Sequence, residues 1–283
     1  MIALSRLAAI AILACAAVLA LRLIGYAAGP SFAPSSFAIL NPDNAAVIGH
    51  ASFDVTLLAA RVQIARSEAH YRDGDYDIEE NRLALPSGDG LPRQLSFKHD
   101  FFSSGGARVR SDQADFVSGE ASCTTYANGQ PSTLSAQLKF PSDTYAGAPV
   151  MIPLRAQLML KGSQPIQFEF FTCVPGPRLV TVHAGVSPPA PWNQAPGLLV
   201  QVDLKPDFGW LNPIIGPFLP TVRAWFDPAR QWYLMGVESA RYYRGPKILL
   251  VAEMPPLRPP DRGEKNLSGG LPAPDRSGTG KPQ

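Results

Sequence analysis

His183 stands in "VTVHAG", and an imidazole on a strand can take a proton from a nucleophile if a carboxylate orients it. Glu169, Asp203 and Asp207 are the carboxylates that could orient it, Ser187 is the hydroxyl that could attack, and His70 is a second base. No spacing ties these residues together. A Gly-x-Ser-x-Gly elbow, a His-Glu-x-x-His pair, a Walker loop and a dinucleotide fingerprint are all missing from the chain. The composition therefore assigns no catalytic residue. "DGDYDIEE" places Asp73, Asp75 and Asp77 at the one-three-five spacing of a calcium loop. Ile78 stands where that loop needs glycine and Ala84 where it needs glutamate, so the segment reads as a solvated strand face. The four histidines are scattered and there is no Cys-x-x-Cys, so no metal or other cofactor is expected.

Cysteine chemistry depends on the compartment. The opening residues 7–21 carry no charge, and residues 7–28 are long enough to span a bilayer if Arg22 snorkels to the far interface. Three readings stand: an uncleaved anchor, a secretion signal cut after Ala27, or a lipoprotein signal acylated at Cys15. Each puts the body outside the cytoplasm, in the periplasm or on the inner membrane through one N-terminal helix, with the N-terminus inside. There a thiol pair oxidises, and a Cys123–Cys173 disulfide is expected.

The elements that must position these groups follow from periodicity. Residues 29–44 form a Pro/Ser/Ala-rich linker, 45–254 a single β-rich domain, and 255–283 a tail with seven prolines that reads as disordered. Within the domain the period is two. Asp73-Gly74 is a favoured two-residue hairpin turn, and past it Tyr76 and Ile78 are expected to face inward while Asp77 and Glu79 face water. "VMIPLRAQLML", "IQFEFFTCV" and "RLVTVHAGV" read as further strands, and "FDPARQW" as a turn around Pro228. The fold class is mainly β: a single curved antiparallel sheet, half-barrel or barrel meander, preceded by one hydrophobic helix.

The order of "PSDTYAGAPVMIPLRAQLML", "FEFFTCVPGPRLVTV", "GLLVQVDLKPDFGWL", "LPTVRAWFDPARQWYLMGVESA" and "KILLVAE" resembles bacterial periplasmic proteins grouped as a domain of unknown function. The layout is also similar to the half-barrel lipoprotein carriers, whose concave sheet holds acyl chains. The resemblance implies a curved antiparallel sheet and transfers no site residue. Trp192, Trp210, Phe218, Trp225 and Trp232 are the aromatic residues that would line an apolar pocket or an exposed lip.

The body carries 18 basic against 20 acidic residues, which excludes the basic footprint of a nucleic-acid binder. The expected function is a non-enzymatic cell-envelope domain that binds an apolar or amphipathic, lipid-like ligand or an envelope protein. The alternatives are a periplasmic hydrolase with an unrecognised site and a structural accessory subunit.

Overall fold

The computed structural model describes residues 36–59, 61–86, 90–207, 209, 221–241 and 245–253. The N-terminal hydrophobic segment, the Pro-rich tail, Trp210 and Phe218 lie outside the described residues. Among the described residues no helix is long and apolar enough to cross a membrane.

The chain begins with β1 (Ser36–Leu40) and runs through a meander: β2 (Val47–Ala59), β3 (Val62–Tyr71), β4 (Tyr76–Ala84), β5 (Arg93–Phe102), β6 (Arg108–Asp115), β7 (Glu120–Ala127) and β8 (Gln130–Gln137). A two-residue strand, β9 (Thr144–Tyr145), and a helix, α1 (Met151–Lys161), follow. The chain then returns through β10 (Ile166–Thr172), β11 (Arg178–Val186), β12 (Ala190–Trp192), β13 (Ala195–Asp207), β14 (Val222–Asp227), β15 (Tyr233–Ala240) and β16 (Lys247–Ala252). Strand β16 pairs with β1, so one continuous sheet runs from β8 to β9 with the first and last strands adjacent at its middle. All the pairings are antiparallel except β9 with β10. The mainly β, curved-sheet expectation holds, with that one parallel pair.

The sheet rolls over itself. Phe168 and Ile166 of β10 face the main core, while Phe171 on the other parity packs in a second cluster with Phe97, Phe116, Ala114, Ala121 and Cys123 of the β5–β7 wing. The wing therefore laps over the outer face of β10. Cys123 on β7 bonds Cys173, just past β10, with Cα atoms 5.6 Å apart. The disulfide pins the lap shut, as the cysteine pairing predicted.

The segment "VMIPLRAQLML" is not a strand. Residues 151–161 form α1, because Leu, Met, Gln, Arg and Lys favour helix and Pro153 falls in the first turn, where its missing N–H costs little. Gly162 ends it with positive φ (61°), and its N–H donates to Leu158 O. Met151, Leu154 and Leu158 recur at helical spacing and are buried. They pack with Ile39, Phe53, Leu83, Val202 and Phe226 from both arms of the sheet. Ile152, Leu154, Ala156, Leu158 and Leu160 also alternate as a strand would, so propensity and the rolled sheet's need for a filler together decide for helix. The inner faces of the two arms pack around this helix.

Candidate functional site: a polar seam and an outer groove

An edge strand has backbone groups that must be paired or hydrated. The inner edge of the roll, β9 and the residues after it, pairs with no strand other than β10 among the described residues. Side chains from β4 and β5 serve instead. Gln94 uses its amide twice on one residue: the Ala146 N–H donates to Gln94 Oε1 (2.7 Å), and Gln94 Nε2 donates to Ala146 O (3.3 Å). This is the pair of bonds a strand residue would make. The Ala148 N–H donates to Glu79 Oε1 (2.9 Å), Asn81 Nδ2 donates to the same oxygen (2.8 Å), and Gln94 Nε2 also donates to Asn81 Oδ1. Tyr145 Oη donates to Pro92 O (3.1 Å). Glu79, Asn81 and Gln94 are all buried, and the seam accounts for each of them.

The register brings titratable groups to the same place. Cross-strand pairing aligns Glu79, His99, Asp112 and Cys123 in one row over four strands. His99 Nε2 lies 2.9 Å from Asp77 Oδ1 and its Nδ1 3.4 Å from Glu79 Oε2. Arg110 pairs with Asp112 (2.7 Å), whose carboxylate is also close to the disulfide sulfurs. Burial pushes the Glu79 carboxyl above its ordinary range, and the His99 charge and the two N–H donors only partly offset this. Burial disfavours the His99 imidazolium. The Asp77 hydrogen bond and the charges of Glu79, Asp77 and Asp112 outweigh that and hold its pKa above the usual value. The row can hold and share a proton at the seam. Its polar atoms are already engaged with backbone and with each other, which is the arrangement of a structural latch.

The alternation was expected to run the other way round. Asp77, Glu79, Asn81 and Leu83 face inward, and Glu80 and Arg82 face water. A hydrophobic count over Tyr76 and Ile78 misses this. The signal that could have found it is Leu83 against Arg82, which fixes the opposite parity for the rest of the strand.

The sequence-derived candidates separate. His183 Nε2 reaches Asp207 Oδ2 (2.9 Å), with His183 exposed and Asp207 half-buried on the outer face of β11 and β13. Glu169 accepts from Thr181 Oγ1, Asp203 accepts from Gln201 Nε2, and His70 pairs with Glu68 and stacks on Tyr76. Only His183 and Asp207 meet, and the backbone N–H of Ser187 donates to Gln201 O on β13. The three spaced aspartates diverge: Arg241 takes Asp73 (2.6 Å) and Asp75 (3.0 Å), while Asp77 turns in to His99.

Of the aromatic candidates, Trp192 stacks on Trp225 at 4.6 Å between centroids and 12° between planes. Gly236 makes room for the Trp192 ring, since a Cβ there would collide with it. Trp225 sits apart from the main core, whereas Trp232 packs against the edge of that core. The described aromatics thus pack on two sides of the sheet.

A groove of about 740 Å³ crosses the outer face of the wing. Arg82, Lys98, Gln113, Glu120, Ser122 and Gln137 are among its walls, one or two from each strand of β4–β8. It offers charges of both signs, amides and hydroxyls, and suits a polar or zwitterionic chain.

No family model matches the chain, and no curated protein matches it. Among solved structures it is similar to a β-barrel-like protein of a domain of unknown function, DUF1849, from Brucella abortus. The two share 10% identity over 77% of this chain and 93% of that one, with a TM-score of 0.42.

Proposed function

We propose that this protein is a non-catalytic domain of the cell envelope, tethered by its N-terminal apolar segment, that engages an envelope partner through its outer surface. One observation carries the reading: α1 fills the roll, with Leu154 and Leu158 at 1% and 0% exposure. Acyl chains would have to displace that helix, so the outer face with its polar groove is the available binding surface. Residue-specific photo-crosslinking in the envelope tests it. A photoreactive residue replacing Ser122 in the groove gives a discrete adduct, and one replacing Val109, at the strand start away from the groove walls, does not. Stoichiometric lipid in an organic extract of the purified protein, with no adduct at Ser122, would reverse the assignment in favour of a carrier.

The hydrolase reading has one observation in its favour, the His183–Asp207 pair. If that pair is catalytic, His183→Ala removes an ester or amide hydrolysis that the intact protein performs. If the domain is a binder, the variant is indistinguishable.

A further inference from the structure

The strands alternate in direction, so every turn belongs to one of two rims of the sheet. The rim where β1 begins carries the β2–β3, β4–β5, β6–β7 and β14–β15 turns, the end of β16 and the start of β10. Helix α1 lies at the same rim: it leads directly into Ile166, and Arg155 Nε donates to Gln231 O in the β14–β15 turn (2.9 Å).

Large exposed apolar side chains gather there. Leu57 and Leu58 (both 57% exposed) stand at the β2–β3 tip and Val117 (70%) in the β6–β7 turn. Met159 (50%) and Leu160 (53%) cap the outward end of α1, and Leu198 (57%) opens β13. Val47 and Val109 stand at the opposite rim and Leu134 in the middle of the wing. The turns hold this display in place. The Asp115 carboxylate accepts from the backbone N–H groups of Val117 and Ser118 (both 2.8 Å), which leaves the Val117 side chain outward. Arg61 and Lys161 are exposed beside the leucine tips, and Lys139 is exposed beside Phe140 on the same rim. Asp115 and Glu120 share the rim on the wing side, and Glu253 stands exposed beside Ser36. Apolar tips flanked by long basic side chains are the composition of a bilayer-contacting edge, where the stems lie among the acyl chains and the charges reach headgroups.

The occupant follows from where the chain enters. Residue 36 starts β1 at this rim, and only residues 29–35 separate it from the apolar segment that ends at residue 28. Seven extended residues reach at most about 25 Å. We infer that this rim rests on the lipid surface into which the leader inserts, with Leu57, Leu58, Met159 and Leu160 entering the headgroup region. The inference rests on the tethered reading above. A short tether makes weak contacts effective, because the rim is held at high local concentration over the lipid.

The test uses the full chain, with Cys15→Ser and the disulfide intact, in lipid nanodiscs of phosphatidylethanolamine and phosphatidylglycerol. A nitroxide is placed at Leu58→Cys, at Leu160→Cys as an independent second position, and at Val109→Cys as the far-rim reference. Collision with oxygen, which concentrates in lipid, is compared with collision with a water-soluble nickel chelate. The expected result is oxygen collision several-fold above the reference and nickel collision several-fold below it at both leucine positions. If the chain stays with the discs but both leucine labels are as wet as the label at Val109, the inference fails and the tether stands. If the chain leaves the discs, the tether reading fails and takes the inference with it.

Discussion

Replacing Leu158 by alanine tests whether the roll is filled or merely lidded. The side chain is fully buried and touches the core built from both arms of the sheet. Alanine is at least as good a helix former as leucine, so α1 itself loses nothing and the whole effect is packing. The deletion removes three carbons from a site walled by sheet on one side and by its own helix on the other. Neither wall can collapse freely, which puts the cost in the upper part of the measured range, about 3–4 kcal/mol. For a domain of this size that corresponds to a fall of roughly 10 °C in melting temperature. Leu160→Ala is the matched control, since that side chain is 53% exposed. Its cost is expected within about 0.5 kcal/mol of zero. Denaturant unfolding followed by circular dichroism and tryptophan fluorescence reads both. If Leu158→Ala costs no more than Leu160→Ala, the helix is not part of the core, and the argument against an interior ligand site collapses with it.

The seam titrates with a defined sign. His99 has its pKa raised in the fold, so its contribution is complete below about pH 6.5 and drains away as pH rises through the higher folded value, at about 1.4 kcal/mol per unit of displacement. Glu79, also raised, acts in the same direction from about pH 4.5 upward. The stability difference between the native protein and His99→Gln should therefore narrow between pH 6 and 9, and a gap that stays constant across that range would contradict the cluster. Opening the Cys123–Cys173 bond, 50 residues apart in sequence, should cost about 4 kcal/mol by the chain-entropy estimate. In the native protein only Cys15 should react with an alkylating agent, and modification of all three thiols without denaturant would show that the lap is not pinned. Gly236→Ala would crowd both the Trp192 ring and the Leu250 carbonyl on β16, so it should push Trp192 off Trp225, change the tryptophan emission and lower the melting temperature. An unchanged emission would mean that the stack is not formed in solution.

Much of the sheet is written in local pattern. The place of the turn at Asp73-Gly74, the strands β10, β11 and β13, and the turn at Pro228 depend on neighbours two to four residues away, and sequence shows them; the first turn is one residue longer than the two expected, since the Tyr71 N–H donates to Asp75 O. The Cys123–Cys173 pairing was legible for a different reason: excluding the leader cysteine leaves only one pair. What sequence hides depends on contacts across the roll. Residues 151–161 satisfy both periods, and the helix wins because a sheet curved this tightly needs volume inside it that neither arm supplies. The inversion of β4 has the same origin. Taken alone, Asp77, Glu79 and Asn81 belong in water, and Tyr76 and Ile78 belong in the core.

The seam reverses that preference because the free edge at residues 146–148 brings backbone groups inside the molecule, where an apolar wall would leave them unpaired at about 1–3 kcal/mol each. Gln94 and Glu79 return those bonds, Asn81 bridges the two side chains, and His99 supplies the charge that a buried carboxylate would otherwise lack. A sheet closed by strand pairing has no use for such residues; a sheet closed by overlap needs them at the line where the edge is covered. The buried polar row is therefore the sequence trace of rolling. The same need explains why the lap is both glued by Phe97, Phe116 and Phe171 and bolted by a disulfide. Side-chain bonds to an edge are fewer than a strand ladder would give, and without those two supports the wing would be the first part of the molecule to open.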